Sequence, residues 1–181
     1  MSNISTRASY IWIWATTLVW FIADQLTKLS IVSNMQLGES FSVLGAVLSF
    51  TRRINTGGAF GILQGNILLL SVVGCLVLVL LMIFGPGLVG RGRLSLFALG
   101  MVAGGAAGNL LDRARLGHVI DFIDVHLTSS YTWPTFNVAD IGISIGVVLL
   151  LYVSIFGKSA DMTDKTISVD EIPDDPPSST L

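Results

Sequence analysis

Four apolar runs alternate with polar or irregular stretches along this chain. They span residues 10–29, 66–84, 94–111 and 138–156, and each approaches the ~20 mainly apolar residues that a bilayer-crossing helix needs. Tyr10, Trp12, Trp14 and Trp20 give the first run an aromatic flank. No small-residue cleavage pattern follows it and Asp24 and Lys28 lie at its far end, so it reads as a retained helix rather than a removable signal peptide. The third run is the least apolar, but Gly100, Gly104 and Gly108 recur along one helical face among Ala103, Gly105, Ala106 and Ala107. Small residues let membrane helices approach closely, which predicts a central position for this helix and explains the stripe by packing alone.

The connections are unequal. A short Gly85-Pro86-Gly87 turn with Arg91 and Arg93 joins the second and third runs, whereas 30–65 and 112–137 are long. Four spans put both termini on one side and both long loops on the other. Val47–Thr51 alternates in the manner of a strand, which predicts a small sheet in a lobe at 30–65. The expected class is an all-α membrane protein: four transmembrane helices with a small β-containing lobe on the outer membrane surface.

Composition agrees. The 181 residues are 52% hydrophobic and 12% charged, with mean hydropathy +0.75; a soluble domain carries about 25% charged residues. The net charge of −2 averages two regions, because the tail 158–181 holds six acidic residues against Lys158 and Lys165. That tail, with Pro173, Pro176 and Pro177, is expected to be disordered, leaving 1–157 as one membrane domain. Nothing suggests nucleic acid as a partner. The basic residues divide evenly between the two sides, so only Arg91 and Arg93, in a very short loop, favour a cytoplasmic terminal side. Cys75 is the one cysteine, so no intramolecular disulfide forms. His118 and His126 flank Asp121 and Asp124 without the spacing of a metal motif; no metal or other cofactor is expected.

The polar residues of the spans gather at one interface. Asp24 and Lys28 close the first span, Asn55 precedes the second, Asn109, Asp112 and Arg113 end the third, and Asn137 and Asp140 open the fourth. Each also has a plainer reading. Asp24 and Lys28, four apart, make a helix-face ion pair worth on the order of a few tenths of a kcal/mol. Arg113 reaches lipid phosphates by snorkelling. Asn137 caps the fourth helix with Asp140 in its first turn. Asp121, between Ile120 and Phe122, has no such excuse. A carboxylate at membrane depth is costly and usually functional, and two close together share a proton, which is the equipment of an aspartic protease. No serine sits in a Gly-x-Ser-x-Gly setting, and Cys75 lies mid-span without a base.

Four segments together resemble the lipoprotein signal peptidase (type II signal peptidase) family. They are Asp24-Gln25-Leu26-Thr27-Lys28; Asn55-Thr56-Gly57-Gly58-Ala59-Phe60-Gly61; the stretch from Gly104 through Asn109, Asp112 and Arg113 to Gly117-His118-Val119-Ile120-Asp121-Phe122; and Phe136-Asn137-Val138-Ala139-Asp140. The resemblance implies an aspartic endopeptidase of the bacterial cytoplasmic (inner) membrane, with termini in the cytoplasm and its site at the outer leaflet. It would cleave a prolipoprotein just before a diacylglyceryl-modified cysteine, acting as a monomer in contact with membrane lipid. By motif position Asp121 and Asp140 would be the catalytic dyad, supported by Asp24, Lys28, Asn55, Gly57, Gly105, Asn109, Arg113 and Asn137. Gly58 stands where the family commonly has alanine, and Asp124 adds a third nearby carboxylate. The lobe at 30–65 is expected to clamp the lipid-modified segment and loop 122–136, with Tyr131 and Trp133, to act as a flap.

Three rivals remain. A proton-coupled carrier would scatter its polar groups towards mid-membrane and both faces. Val72-Val73-Gly74-Cys75 resembles a lipobox but is internal. A scaffold would need neither Asp121 nor Asp140.

Overall fold

The computed structural model describes residues 6–58, 63–88, 92–128 and 131–167. In chain order the elements are α1 (Thr6–Asn34), β1 (Ser40–Leu44), β2 (Leu48–Asn55), α2 (Ile67–Leu88), α3 (Arg93–Leu116), β3 (Val119–Val125) and α4 (Val138–Ile167). Among the described residues, three helices are long and apolar enough to cross a membrane, over Ile67–Gly85, Arg93–Leu116 and Val138–Phe156. α1 is longer than expected at both ends but is diluted by Trp, Thr, Asp24, Gln25 and Lys28. Its C-terminal carbonyls are met by Arg52, whose Nη1 donates to Met35 O at 2.7 Å and Val32 O at 3.3 Å, a cation placed where the helix dipole favours one.

α3 is the central helix, as its small residues predict. It packs on α1, α2 and α4, and 67% of its span is buried against none of α2's. A Cβ on Gly100 would lie 2.6 Å from Thr16 Cβ, and one on Gly104 2.6 Å from Thr17 O, so this face seats α1 backbone to backbone. Ile13, Leu96 and Leu99 form the core at one end, with Leu81 and Met82 against them. At the other end Ile31, Met35 and Phe122 pack with Phe50, Ile123 and Val138.

Three expectations need correction. The Gly85-Pro86-Gly87 segment is not a turn, because α2 runs through it to Leu88. Pro86 has no N–H to give the Met82 carbonyl, so α2 carries the loss of one hydrogen bond in its last turn, where the fixed φ of proline still suits helical backbone. Arg93 opens α3, while Arg91 lies outside the described residues. Secondly, residues 119–125 are a strand: β3 completes an antiparallel sheet of order β1-β2-β3, so 122–125 belong to the sheet and not to a flap. Gly117, in the left-handed region at φ 72°, ends α3 and turns the chain back into β3. Thirdly, α4 continues to Ile167, so 158–167 is helical rather than an irregular tail. The first helix-breaking proline there is Pro173; residues 168–181 lie outside the described residues.

The predicted strand at 47–51 is present from Leu48 onward as the start of β2, with Val47 in the turn before it. Its pairing with β3 shifts register between Phe50 and Arg53, after which Arg53 faces Asp121 and Asn55 faces Val119. Phe41, Leu44 and Val47 stay exposed on the lobe.

Candidate active site

The site is assembled where the ends of α1 and α3 meet β3 and the start of α4. Asn137 is the N-cap of α4: its Oδ1 accepts from Asp140 N at 3.0 Å while Asp140 Oδ2 accepts from Asn137 N at 3.3 Å. This reciprocal box satisfies two otherwise orphaned amides. The cap reading of Asn137 and Asp140 is therefore correct, yet it does not exhaust either residue. Asn137 Nδ2 also donates to Asp121 Oδ1 at 2.7 Å, Asn109 Oδ1 at 3.1 Å and Ile120 O at 3.3 Å. Asn109 Nδ2 donates to Asp140 Oδ1 at 2.8 Å. Two side-chain amides thus link the two carboxyls. Asn55 Nδ2 holds the second oxygen of Asp121 at 2.9 Å, and Asn55 is itself fixed by Gly57 N at 2.8 Å.

Asp121 and Asp140 receive only neutral donors. Among the described residues no Lys or Arg nitrogen forms an ion pair with either. Burial pushes the Asp121 carboxyl up to about 7, and the charge of Asp140 adds to the rise against the amide bonds from Asn55 and Asn137. A carboxyl in that range is protonated or ionised with little cost near neutrality, which suits proton transfer.

Behind this pair lies a second cluster of opposite character. Lys28 Nζ sits 2.9 Å from Asp24 Oδ2, 2.8 Å from Asp112 Oδ2 and 2.9 Å from Asn109 Oδ1. Lys28 is 2% exposed and Asp24 0%, so this is no headgroup-level surface pair, and Lys28 has no path to a substrate. The other Asp24 oxygen accepts from Ala139 N at 2.9 Å, across to the first turn of α4, and Asp112 Oδ2 accepts from Ile120 N at 3.3 Å. Gly108 is obligatory here, because a Cβ would strike the Asp24 carboxylate; the glycine stripe serves the site as well as packing. A Cβ on Gly105 would meet Ala139 O and come within 3.0 Å of Ile143, so Gly105 lets α3 approach α4 directly beneath Asp140.

Arg113 spans the pieces: Nη2 donates to Gly57 O at 3.0 Å and Nη1 to Asn109 O at 3.4 Å. All ten residues singled out by sequence are thereby brought together. Sequence reasoning missed two partners. Gln25 Nε2 bridges Asp24 Oδ2 at 3.1 Å and Asp112 Oδ1 at 3.2 Å, and Trp20 Nε1 donates to Val138 O at 3.0 Å. Gln25 lies inside the Asp24–Lys28 motif, where a polar residue in an apolar run was the available signal. Asp124 stays apart. It accepts from Thr51 Oγ1 at 2.9 Å and lies 3.9 Å from Arg53. His126 Nδ1 shares a hydrogen bond of 3.0 Å with Thr132 Oγ1.

Asp121 and Asp140 line a cavity of about 810 Å³ whose polar end also carries Asn55, Asn109 and Arg113. From there it runs as an apolar groove between α2, α3 and α4, past Leu70, Val77, Val102 and Ile145. Trp133 and Phe136 line the cavity as well. Their segment is clipped to β3 by Trp133 N to Val125 O at 2.8 Å and Ile123 N to Phe136 O at 2.8 Å. Tyr131, at 52% exposure, does not line the cavity. Gly58 is part of the cavity wall.

Known proteins resemble this chain throughout the region just described. The family model described as signal peptidase (SPase) II matches residues 16–156. A lipoprotein signal peptidase of Nostoc punctiforme is 41% identical over 155 residues, covering 84% of this chain and 94% of the relative. One of Bacillus subtilis is 40% identical over 128 residues, covering 71% and 82% respectively. A bacterial membrane enzyme solved by the in meso method at 2.3 Å superposes with a TM-score of 0.76 at 30% identity, over 87% of this chain and 93% of that one.

Proposed function

This chain belongs to the signal peptidase II family, and from that premise we propose that it is an aspartic endopeptidase removing signal peptides from bacterial prolipoproteins. The observation that carries the aspartic chemistry is the pair Asp121 and Asp140, tethered by Asn109 and Asn137 at the polar end of a cavity and without an ion pair among the described residues. In the ground state the pair holds one proton. The ionised member takes a proton from water as that water attacks the scissile carbonyl, and the protonated member hydrogen-bonds the carbonyl oxygen. As the tetrahedral intermediate collapses, a dyad proton passes to the leaving amine. The pair titrates as a unit, so neither aspartate is assigned base or acid alone. Asn55 and Asn137 orient Asp121, Asn109 orients Asp140, and Arg113 lies in the cavity wall facing the substrate.

The substrate class fits the cavity. A polar pocket opening into an apolar groove suits a scissile bond next to a diacylglyceryl-modified cysteine, with a signal helix and acyl chains lying against α2, α3 and α4. We read α1 as the fourth span, its aromatic flank at the interface, with termini cytoplasmic and the site at the outer leaflet of the inner membrane. The exposed Phe41, Leu44 and Val47 then rest on that leaflet, and a monomer contains every part of the site. The flap role narrows to 126–136, with Trp133 as its contact. A carrier would need polar groups along the groove to the far face, where α2 and α3 offer Leu70, Val77 and Val102 instead.

The test is cleavage of a diacylglyceryl-modified precursor peptide by purified protein, beside Asp121→Asn and Asp140→Asn variants of intact fold. Cleavage before the modified cysteine, lost in both variants, is expected. Activity surviving in either would leave that aspartate as a cap or packing residue, and an inactive wild type in suitable detergent would return the carrier and scaffold readings.

A further inference from the structure

A peptide bond inside a helix is poorly open to hydrolysis, because its carbonyl is tied to the amide four residues on. The substrate segment beside Asp121 and Asp140 must therefore be extended. Its N–H and C=O groups lose their helical partners, and at membrane depth that loss is costly unless the enzyme replaces them. At the polar end Asn55, Gln64 and Arg113 line the cavity and offer such partners. Farther into the groove the helix walls are apolar, with one exception. Ser144 lies on α4 four residues beyond Asp140, on the same face and about 6 Å farther into the span.

Serines and threonines within membrane helices commonly turn back to the carbonyl four residues earlier. Ser71 does so to Ile67 O at 2.8 Å and Thr27 to Ala23 O at 2.9 Å. Ser144 is exposed to the cavity and has no such bond among the described residues. Its hydroxyl is both donor and acceptor, so it matches either backbone group. An extended chain advances about 3.3 Å per residue, which places two residues of substrate between the levels of Asp140 and Ser144.

We infer that Ser144 Oγ binds the unwound backbone of the substrate about two residues to the signal-peptide side of the scissile bond. This deepens the peptidase reading and rests on it. The hydroxyl stabilises the extended form that the dyad requires, and it does so without touching the reacting atoms.

The experiment compares Ser144→Ala, Ser144→Thr and Ser144→Val in full-length protein on the diacylglyceryl-modified precursor peptide, with thermal unfolding as a check on each. Loss of one hydrogen bond predicts a drop in kcat/KM of about five- to tenfold for Ala and Val. Thr, which has the shape of Val but keeps the hydroxyl, retains activity near wild type. Precursor peptides carrying a backbone ester in place of each of the three amides preceding the cleavage site locate the contact: at one of them the Ala penalty shrinks towards onefold. Equal activities of Thr and Val would overturn the assignment in favour of packing, as would an Ala penalty that is the same on every ester. Should the wild type fail to cleave at all, the peptidase reading itself fails and Ser144 falls with it. A wild type that depends on Asp121 while all three Ser144 variants match it removes Ser144 alone.

Discussion

Two carboxylate clusters lie within one polar network, and they are built on opposite principles. Asp24 and Asp112 share the Lys28 ammonium, take further bonds from Gln25 and from the amides of Ala139 and Ile120, and are sealed from solvent. Asp121 and Asp140 receive amide donors only and face a cavity. Neutralised acids hold elements together: the first cluster ties α1 to α3, to the start of β3 and to the first turn of α4. Acids with no ion pair among the described residues exchange a proton near neutrality more readily, which is what the proposed hydrolysis needs. Asn109 joins the two, accepting from Lys28 and donating to Asp140, so the brace fixes the orientation of the proposed dyad without supplying it with a contacting charge.

The sharpest way to break this comparison is to remove one member from each side. Asp121→Asn should lower kcat/KM by about 10³-fold or more, within the range that acid–base groups contribute, with only a small change in the thermal midpoint, because the most that it loses is one of the two amide bonds from Asn55 and Asn137. Lys28→Met should behave in the reverse order. It strands two buried carboxylates, and removal of one partner of a buried ion pair costs about 3–5 kcal/mol. Its primary loss is stability in detergent, with activity failing as the fold does. Thermal unfolding and turnover measured on both variants decide the matter. A stable, inactive Lys28→Met would move Lys28 into the chemistry.

Protonation separates the clusters next. With Asp121 pushed up to about 7, the shared proton is lost as pH rises through that value, so kcat/KM should fall on its alkaline side with an apparent pKa near 7. Stability carries the same signature. Between the ordinary value of 3.8 and about 7 the folded chain keeps a proton that the unfolded chain has released, so this group's contribution declines as pH rises across that window. Asp121→Asn should flatten the decline. An unaltered pH–stability curve in that variant would remove the burial argument for Asp121.

How much of this was legible in the residues depends on range. The apolar runs, the central small-residue helix and the gathering of polar groups at one interface are local patterns, and periodicity reads them. β3 was not legible, because Val119–Val125 pairs with a strand more than sixty positions earlier and Asp121 interrupts its apolar run. The continuation of α2 past Pro86 escaped for a different reason: proline reads as a stop, yet the helix carries the one hydrogen bond that Pro86 lacks and runs on to Leu88. Among the site residues, the cap at Asn137 and the ion pair of Asp24 with Lys28 were visible as local geometry. That Lys28 also meets Asp112, and that Asp24 also caps α4, are tertiary facts. Gln25 sits one helical position off the face of Asp24 and Lys28, while Trp20 is on that face, four residues before Asp24, where an interfacial aromatic flank already accounts for it.

The smallest expected effect concerns the third carboxylate. Asp124 is buried on β3 three positions from Asp121, so it points to the opposite side of the strand, where it meets Thr51 and, loosely, Arg53. One of its oxygens has no hydrogen-bond partner, which limits what the side chain contributes. Asp124→Asn keeps the Thr51 contact, supplies a donor where an unpaired acceptor stood, and leaves a surface-facing Arg53 that water solvates. Activity should stay within about twofold of wild type and stability within about 1 kcal/mol, the scale of a single net hydrogen bond. Turnover of the precursor peptide by this variant beside Asp121→Asn is the measurement. A large loss in Asp124→Asn would mean that proximity in sequence to Asp121 matters more than the side of the strand, and the division between reactive and bracing carboxylates would have to be redrawn around three acids instead of two.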